Sequence, residues 1–330
     1  MTNNVLLNGN FDLWQRGTEF NDPPHFTPTA DRFVFGQSSG AAKFKISRSA
    51  DVPNLQSQSS IEFSVIASHS PLPGDEAHIR YSIEGREAVL AVAGKVVTFS
   101  FWAKSNLPGI YSITLVHPSA SRTVEQTLAL DYTILQSGAW EKKTITVDLS
   151  TVVGGWSYVT GTYGLKIRFA FYAGANYKVS PGSWVVGNYV ASNNNVNLAS
   201  AVGNYLRISQ LKLEVGSDAT PFMPVDITTE LRRCQRYCFI LGHPISIDSL
   251  GVTGYAGAAG ETAYSTIPYP VSMARLPTIS MAGAFATVNV VGTPTWTPGY
   301  SSALLKIAAA GAGRMAARSD KSVVIFDAEL

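Results

Sequence analysis

The chain has 330 residues, 15% of them charged, a formal net charge of +2, and 28 glycines and 14 tyrosines. One hydrophobic core rarely serves a chain this long, so two domains are expected. A small charge without basic runs excludes the electrostatic footprint of a nucleic-acid binder. No apolar run approaches a membrane span, so membrane insertion is not expected. Met1-Thr2-Asn3-Asn4 has neither the basic nor the apolar region of a secretion signal. We therefore expect synthesis in a cytoplasm and exit by lysis or within an assembly.

Up to about residue 225 the hydrophobic period is two, which marks strands with one buried face. Phe44 and Ile46 begin the series, followed by Ile61, Phe63 and Val65, then Ile79, Tyr81 and Ile83. Val97, Phe99, Phe101 and Ala103 form the clearest strand, with Thr98, Ser100, Trp102 and Lys104 on its other face. Tyr111, Ile113 and Leu115 follow, then Ile145 and Val147. Leu165, Ile167, Phe169 and Phe171 oppose Lys166, Arg168 and Tyr172. Turn clusters such as Ser70–Gly74 and Ser105–Gly109 separate these runs. About eight strands and no long helical pattern predict a two-sheet antiparallel β-sandwich.

Residues 174–204 break the rhythm. A connection this long is functional or unstructured. Tyr177, Trp184 and Tyr189 stand among Ser, Gly and Asn, a composition shared with antibody binding loops. Two readings stay open: a recognition loop, or an extra hairpin that covers a sheet edge or packs on a neighbouring subunit. Leu211, Leu213 and Val215 then alternate as a closing strand, and Pro221 bars further ladder pairing.

Asp226 is a good N-cap for a helix expected over about 228–241. On that helix Leu231, Cys234 and Cys238 would form a core-facing stripe of two reduced thiols. An i, i+4 pair suits a disulfide poorly, and only His243 stands near as a third metal ligand. Short strands are expected at Ala263–Tyr269, Thr278–Val291, Ala303–Ala308 and Val323–Ala328. The composition shift places a domain boundary between residues 225 and 226.

Leu213-Glu214-Val215-Gly216-Ser217-Asp218-Ala219-Thr220-Pro221-Phe222 resembles the LExGxxATPF ending of carbohydrate-binding-module-like jelly rolls in phage tail fibres and spikes. The run from Asn8 to Gly17 (NGNFDLWQRG) resembles the opening of the same domain. Ala30–Phe33, Ser100–Lys104 and Ala139–Lys142 match its intermediate motifs in order. Downstream, Cys234–Tyr237, Pro270–Thr278 and Asp327–Leu330 resemble the small C-terminal domain of such fibres, with Ala274 inserted between Met273 and Arg275. The resemblance implies an all-β chain: a jelly roll over 1–225, then one helix and a small β-rich domain over 226–330. It also implies a homotrimeric virion surface protein, on a tail fibre or head spike, that binds host polysaccharide during attachment. With only about four residues before the first motif, anchorage is expected through a domain surface or another fibre or spike-base protein.

No Walker loop, HExxH, GxSxG or dinucleotide turn is present, so no enzyme is expected. Scattered histidines (His25, His69, His78, His117 and His243) suggest no triad. A glycan depolymerase would need two facing carboxylates roughly 5 to 10 Å apart. Asp75, Glu76, Glu84 and Glu87, in turn-rich sequence, are the candidates, with solvated loop charges as the plainer reading. A purely structural virion component is the other alternative.

Sugar binding needs an aromatic plate rimmed by planar polar groups. Trp102, Lys166, Arg168 and Tyr172 are expected to line one solvent-facing sheet surface, with Tyr177, Trp184 and Tyr189 on the adjoining loop. The competing reading packs Trp102 beneath a loop, and Trp14 is assigned to the scaffold. No cofactor is expected beyond a possible structural calcium between Asp12 and Glu214, which the resemblance implies.

Overall fold

The architecture comes from a computed structural model that describes residues 4–38, 42–152, 154–242 and 251–330. The chain divides into two compact units, residues 1–230 with Leu330 and residues 231–329.

The first unit is the expected antiparallel β-sandwich. Its strands are β1 (Glu19–Asn21), β2 (Thr27–Pro28), β3 (Phe33–Gln37), β4 (Lys43–Ser49), β5 (Ser60–Ala67), β6 (Glu76–Glu84) and β7 (Val96–Ser105). They continue as β8 (Gly109–Pro118), β9 (Glu125–Ile134), β10 (Glu141–Asp148), β11 (Tyr163–Ala173), β12 (Lys178–Val179), β13 (Trp184–Val186), β14 (Ala191–Ser192) and β15 (Tyr205–Val215). One sheet runs β1-β4-β5-β15-β7-β10 and the other β13-β9-β8-β11-β6-β3-β2. Non-sequential neighbours such as β5-β15-β7 are jelly-roll connections.

Period-two alternation points one apolar set from each sheet into a shared core. Phe63 and Phe171 meet at 4.6 Å, and Phe101 stands edge-on to Phe169 at 5.3 Å. The first partner of each pair lies on the six-stranded sheet and the second on β11. Burying each such ring contributes about 1.5–3 kcal/mol.

The opening motif is scaffold. Trp14 is buried and its indole N–H donates to the Phe11 carbonyl at 2.7 Å. The Asn8 amide donates to the carbonyls of Leu13 and Asp31. Gly9 lies flush on the closing strand, where a Cβ would come 2.0 Å from the Leu211 carbonyl oxygen.

Two expectations change in this unit, and one strand is added. A helix, α1 (Gly85–Val92), follows β6 directly, and its Ala88 and Val92, four residues apart, are fully buried. Asp75, Glu76, Glu84 and Glu87 therefore do not share one solvated turn, although Asp75 stays in the loop before β6. Glu76 and Glu84 bound β6, Glu87 rides on α1, and Asp75, Glu76 and Glu84 are buried. The alternation of Leu128, Leu130, Tyr132 and Ile134, not assigned above, belongs to β9 at the centre of the second sheet's hairpin.

The second unit contains β16 (Cys238–Gly242), β17 (Gly251–Ala256), β18 (Thr262–Pro268), β19 (Thr278–Val288), β20 (Thr295–Pro298), β21 (Ser302–Ala308) and β22 (Gly313–Asp327). β22 pairs with β16, β17 and β19, while β18, β21 and β20 make a separate sheet. Phe326, Leu305, Ile307 and Met315 lie in the core cluster of this unit.

Asp226 caps α2 (Ile227–Cys234), its carboxylate accepting from the Thr229 N–H at 3.0 Å. The helix stops at Cys234, earlier than expected, because Cys238 begins a strand paired with Asp327. Both thiols are buried, one on each kind of element. Here sheet pairing overrode a helical spacing pattern. His243 lies outside the described residues. Among the described residues no helix is long and apolar enough to cross a membrane.

Candidate functional site

The outer face of the six-stranded sheet carries a groove built around Trp102. Trp102 is partly exposed on β7, because Phe101 and Ala103 beside it point into the core. In register, Trp102 stands opposite Lys142 on β10 and Ser209 on β15. After Ser209 the ladder slips, so that Gln210 and Leu211 lie between the Ser209–Trp102 and Lys212–Ser100 pairs. This is a β-bulge, and Gln210 takes a left-handed φ of 52° in it. Leu211 stays in the core while the Gln210 amide donates to Asn54 Oδ1 at 2.7 Å and to Ser57 Oγ at 2.8 Å.

The result is a cavity of about 160 Å³ lined by Asn54, Gln56, Ser100, Phe101, Trp102, Lys142, Gln210, Pro221 and Phe222. Trp102 and Phe222 supply aromatic faces. Asn54 and Gln56 supply planar amides that both donate and accept, while the Gln210 N–H groups are spent on Asn54 and Ser57.

Beside the cavity Asp51 gathers Lys104 (2.6 Å), the Trp140 indole N–H (2.8 Å) and Arg207, which also pairs with Glu62. Burial raises the Asp51 carboxyl, but hydrogen bonds from Lys104 and Trp140 and the Arg207 charge outweigh it and hold the pKa below the usual value. This network pairs the charges of Lys104, Arg207, Asp51 and Glu62 with one another. The arrangement suits a ligand with one apolar face and a hydroxyl-bearing edge.

The expected surface does not form as one. Lys166 and Arg168 do point away from the core, but from β11 in the seven-stranded sheet, so Trp102 and they occupy opposite outer faces. Both are also covered. Arg168 is 4% exposed and donates to Asn188 Oδ1 at 2.7 Å and the Tyr189 carbonyl at 3.1 Å; Lys166 pairs with Glu125 at 2.9 Å. Burial pushes the Lys166 ammonium down to about 8, with the Arg168 charge adding to the shift and Glu125 opposing it. Tyr172 is buried, because β11 bulges between Ala170 and Tyr172 and turns both Phe171 and Tyr172 inward.

The aromatics of the long connection serve packing on that second sheet. Trp184 lies on β13, which extends the sheet beyond β9. Tyr177 packs on Ala170, Ala173, Val190 and Ala191. The Tyr189 N–H donates to Thr127 Oγ1 at 3.2 Å. None of the three adjoins Trp102.

Asp12 and Glu214 are held by separate partners. Asp12 accepts from Asn10 and Ser59, and Glu214 from Lys212 and Thr220. Among the described residues no group of three or more His, Cys, Asp or Glu is arranged to hold a metal ion. Three of the four enzymatic candidates are likewise engaged, Asp75 with His69 (2.6 Å), Glu76 with His78 (2.6 Å), and Glu84 with the Gly161 N–H (2.8 Å), while Glu87 is exposed on α1.

Lys142, Asn54, Gln56, Gln210 and Phe222 were not singled out from the sequence. For Phe222 the signal was available, since it ends the LExGxxATPF motif. Gln210 carried none, because a bulge has no reliable pattern in a single sequence.

No family model matches the chain, and no curated protein matches it. Solved structures do show similarity. An enzymatically active domain of bacteriophage CBA120 tailspike protein 4 aligns at 14% identity with a TM-score of 0.33, over 59% of this chain and 21% of that one. The chain thus spans about a fifth of the length of that solved domain. A family 11 carbohydrate-binding module of a Clostridium thermocellum cellulosomal cellulase aligns at 13% identity and TM-score 0.33, over 61% of this chain and 98% of the module. A putative sugar-binding protein from Bacteroides thetaiotaomicron aligns at 10% identity and TM-score 0.35, over 64% of this chain and 100% of that one.

Proposed function

We propose that this chain is a virion surface protein, of a tail fibre or head spike, whose first unit binds a host cell-surface glycan without cleaving it. The observation that carries the binding is the Trp102 groove: an exposed-edge indole and Phe222 flanking three amide side chains in one cavity of saccharide scale. An aromatic plate desolvates the apolar face of a pyranose, while amides satisfy its vicinal hydroxyls. The ordered motifs from Asn8 to Phe222 support the virion setting. Binding without hydrolysis is supported by Asp75, Glu76 and Glu84, which are engaged within the fold rather than lining the groove.

In the same reading the second unit mediates association into a homotrimer and attachment to another fibre or spike-base protein. Its long β19, rich in Ala, Ser and Thr with Gly283, is mostly exposed and free of charged residues, which suits close approach of a neighbouring chain. Light scattering or sedimentation giving a monomer at micromolar concentration overturns that part.

The binding part is tested by adsorption of the purified chain to host cells. Trp102→Ala should weaken adsorption at least tenfold with little change in melting temperature. Unchanged adsorption would point to a purely structural component, or to recognition elsewhere on the chain.

A further inference from the structure

Among the described residues, the outer face of the six-stranded sheet holds its cations in closed pairs, with one exception. Lys45 lies 2.7 Å from Glu19, Lys104 2.6 Å from Asp51, and Lys212 2.9 Å from Glu214, while Arg207 bridges Asp51 and Glu62. Lys142 is exposed, and no described carboxylate lies within ion-pair distance of it. Its nearest acidic neighbour in sequence, Glu141, is engaged with Lys143 and with the N–H groups of Leu135 and Gln136. Among the described residues, the one uncompensated cation of this face is thus also a wall of the Trp102 cavity.

Its position is fixed by register. Lys142 and Trp102 are Cα partners across β10 and β7, so their side chains leave the same face about 5 Å apart. A saccharide stacked on the indole therefore presents its substituents within reach of the ammonium. Amide and indole groups are matched by hydroxyls, whereas an unpaired ammonium beside them is matched by an anion. Its flexible four-carbon stem tolerates several positions for that anion.

We infer that the glycan taken by this groove is anionic, and that Lys142 selects for a carboxylate or phosphate borne by the saccharide that stacks on Trp102, or by its neighbour. This rests on the glycan-binding reading above and narrows it to acidic polysaccharides. Trp102 provides affinity that any sugar shares, and Lys142 provides the discrimination. The effect weakens with salt, because the pair forms at an exposed site.

The test uses the purified full chain against polymers immobilised on an interferometry sensor. The probes are polygalacturonate and alginate (carboxylate), poly(glycerol phosphate) (phosphodiester), and laminarin and galactan (neutral). Binding to at least one anionic polymer is expected, lowered at least fivefold when the carboxyls of that polymer are reduced to alcohols. Lys142→Gln should produce the same loss with an unchanged melting temperature, and Trp102→Ala should abolish binding altogether. Preference for poly(glycerol phosphate) alone would identify phosphate as the anion.

Equal binding to neutral and anionic polymers, with less than a twofold effect of Lys142→Gln, overturns the anionic assignment; the groove reading survives if Trp102→Ala still abolishes binding. Anionic binding that persists in Lys142→Gln also overturns it. Binding weakened less than tenfold in Trp102→Ala, or no binding to any of the five polymers, overturns both.

Discussion

Trp102 and Arg168 project from the same β-sandwich in opposite directions, Trp102 from β7 of the six-stranded sheet and Arg168 from β11 of the seven-stranded sheet. Alternation places both away from the core. Only Trp102 is left accessible, because residues 184–190 lie over Arg168 and bind its guanidinium through Asn188 and Tyr189. One sheet thus offers a surface, and the other is sealed by a strap of its own chain.

Neighbours on β7 should behave in opposite ways. Phe101 is 1% exposed against Phe169, so Phe101→Ala should cost about 3–5 kcal/mol. Trp102→Ala, one residue on, should cost less than about 1 kcal/mol while reducing glycan adsorption. Urea unfolding of both variants checks this; a large loss for Trp102→Ala would place its indole in a structural role.

Arg168 should be structural. Arg168→Ala leaves Asn188 and the Tyr189 carbonyl without their donor and removes a buried charge that helps hold the Glu125 and Glu76 carboxyls below their usual range, beside Lys166 and His78. A loss of about 3–5 kcal/mol is expected from removing one member of a buried charge network. Amide exchange should quicken between residues 184 and 190, and Arg168→Lys should recover only part of the loss, since an ammonium cannot reproduce the planar fork.

Gly9 should tolerate no side chain. A Cβ there would stand 2.0 Å from the Leu211 carbonyl oxygen, and Leu211 itself donates to the Gly9 carbonyl at 2.8 Å. Both backbones are fixed by these bonds, so Gly9→Ala should cost more than about 2 kcal/mol. Thermal unfolding unchanged within a degree would contradict the geometry.

Stability should fall in mild acid through His117. Its ring is fully buried, 4.5 Å from Trp156 and 6.2 Å from Trp184, and burial lowers its pKa to about 4. The unfolded chain therefore binds this proton near pH 6.5 while the folded chain does not. The contribution is fully present above pH 6.5 and is lost as pH falls toward 4, by up to about 3 kcal/mol. His117→Gln should flatten that part of the stability-versus-pH curve; an unchanged slope between pH 6.5 and 4 would assign it to other groups.

For most of the first unit's long strands, the sequence by itself determined which residues form them and which of their faces are buried; β9 and the strand beginning at Cys238 were not among them. That information is local: alternation as in Val97, Phe99, Phe101 and Ala103 needs only a backbone whose side chains flip at every residue. It therefore also determined the sandwich class, the Asp226 cap and the outward direction of Trp102, Lys166 and Arg168. Only the tertiary structure decided which sheet each strand joined, and hence that Trp102 and Arg168 do not share a surface. Strand order depends on long-range pairing, as in β15 beside β7, which leaves no local trace. The same holds for the bulges that turned Tyr172 into the core and Gln210 into the groove, each a one-residue slip set by the partner strand. Exposure was likewise decided from a distance, by a strap that covered one outward face and by Phe222 and Gln210, which shaped the other into a cavity.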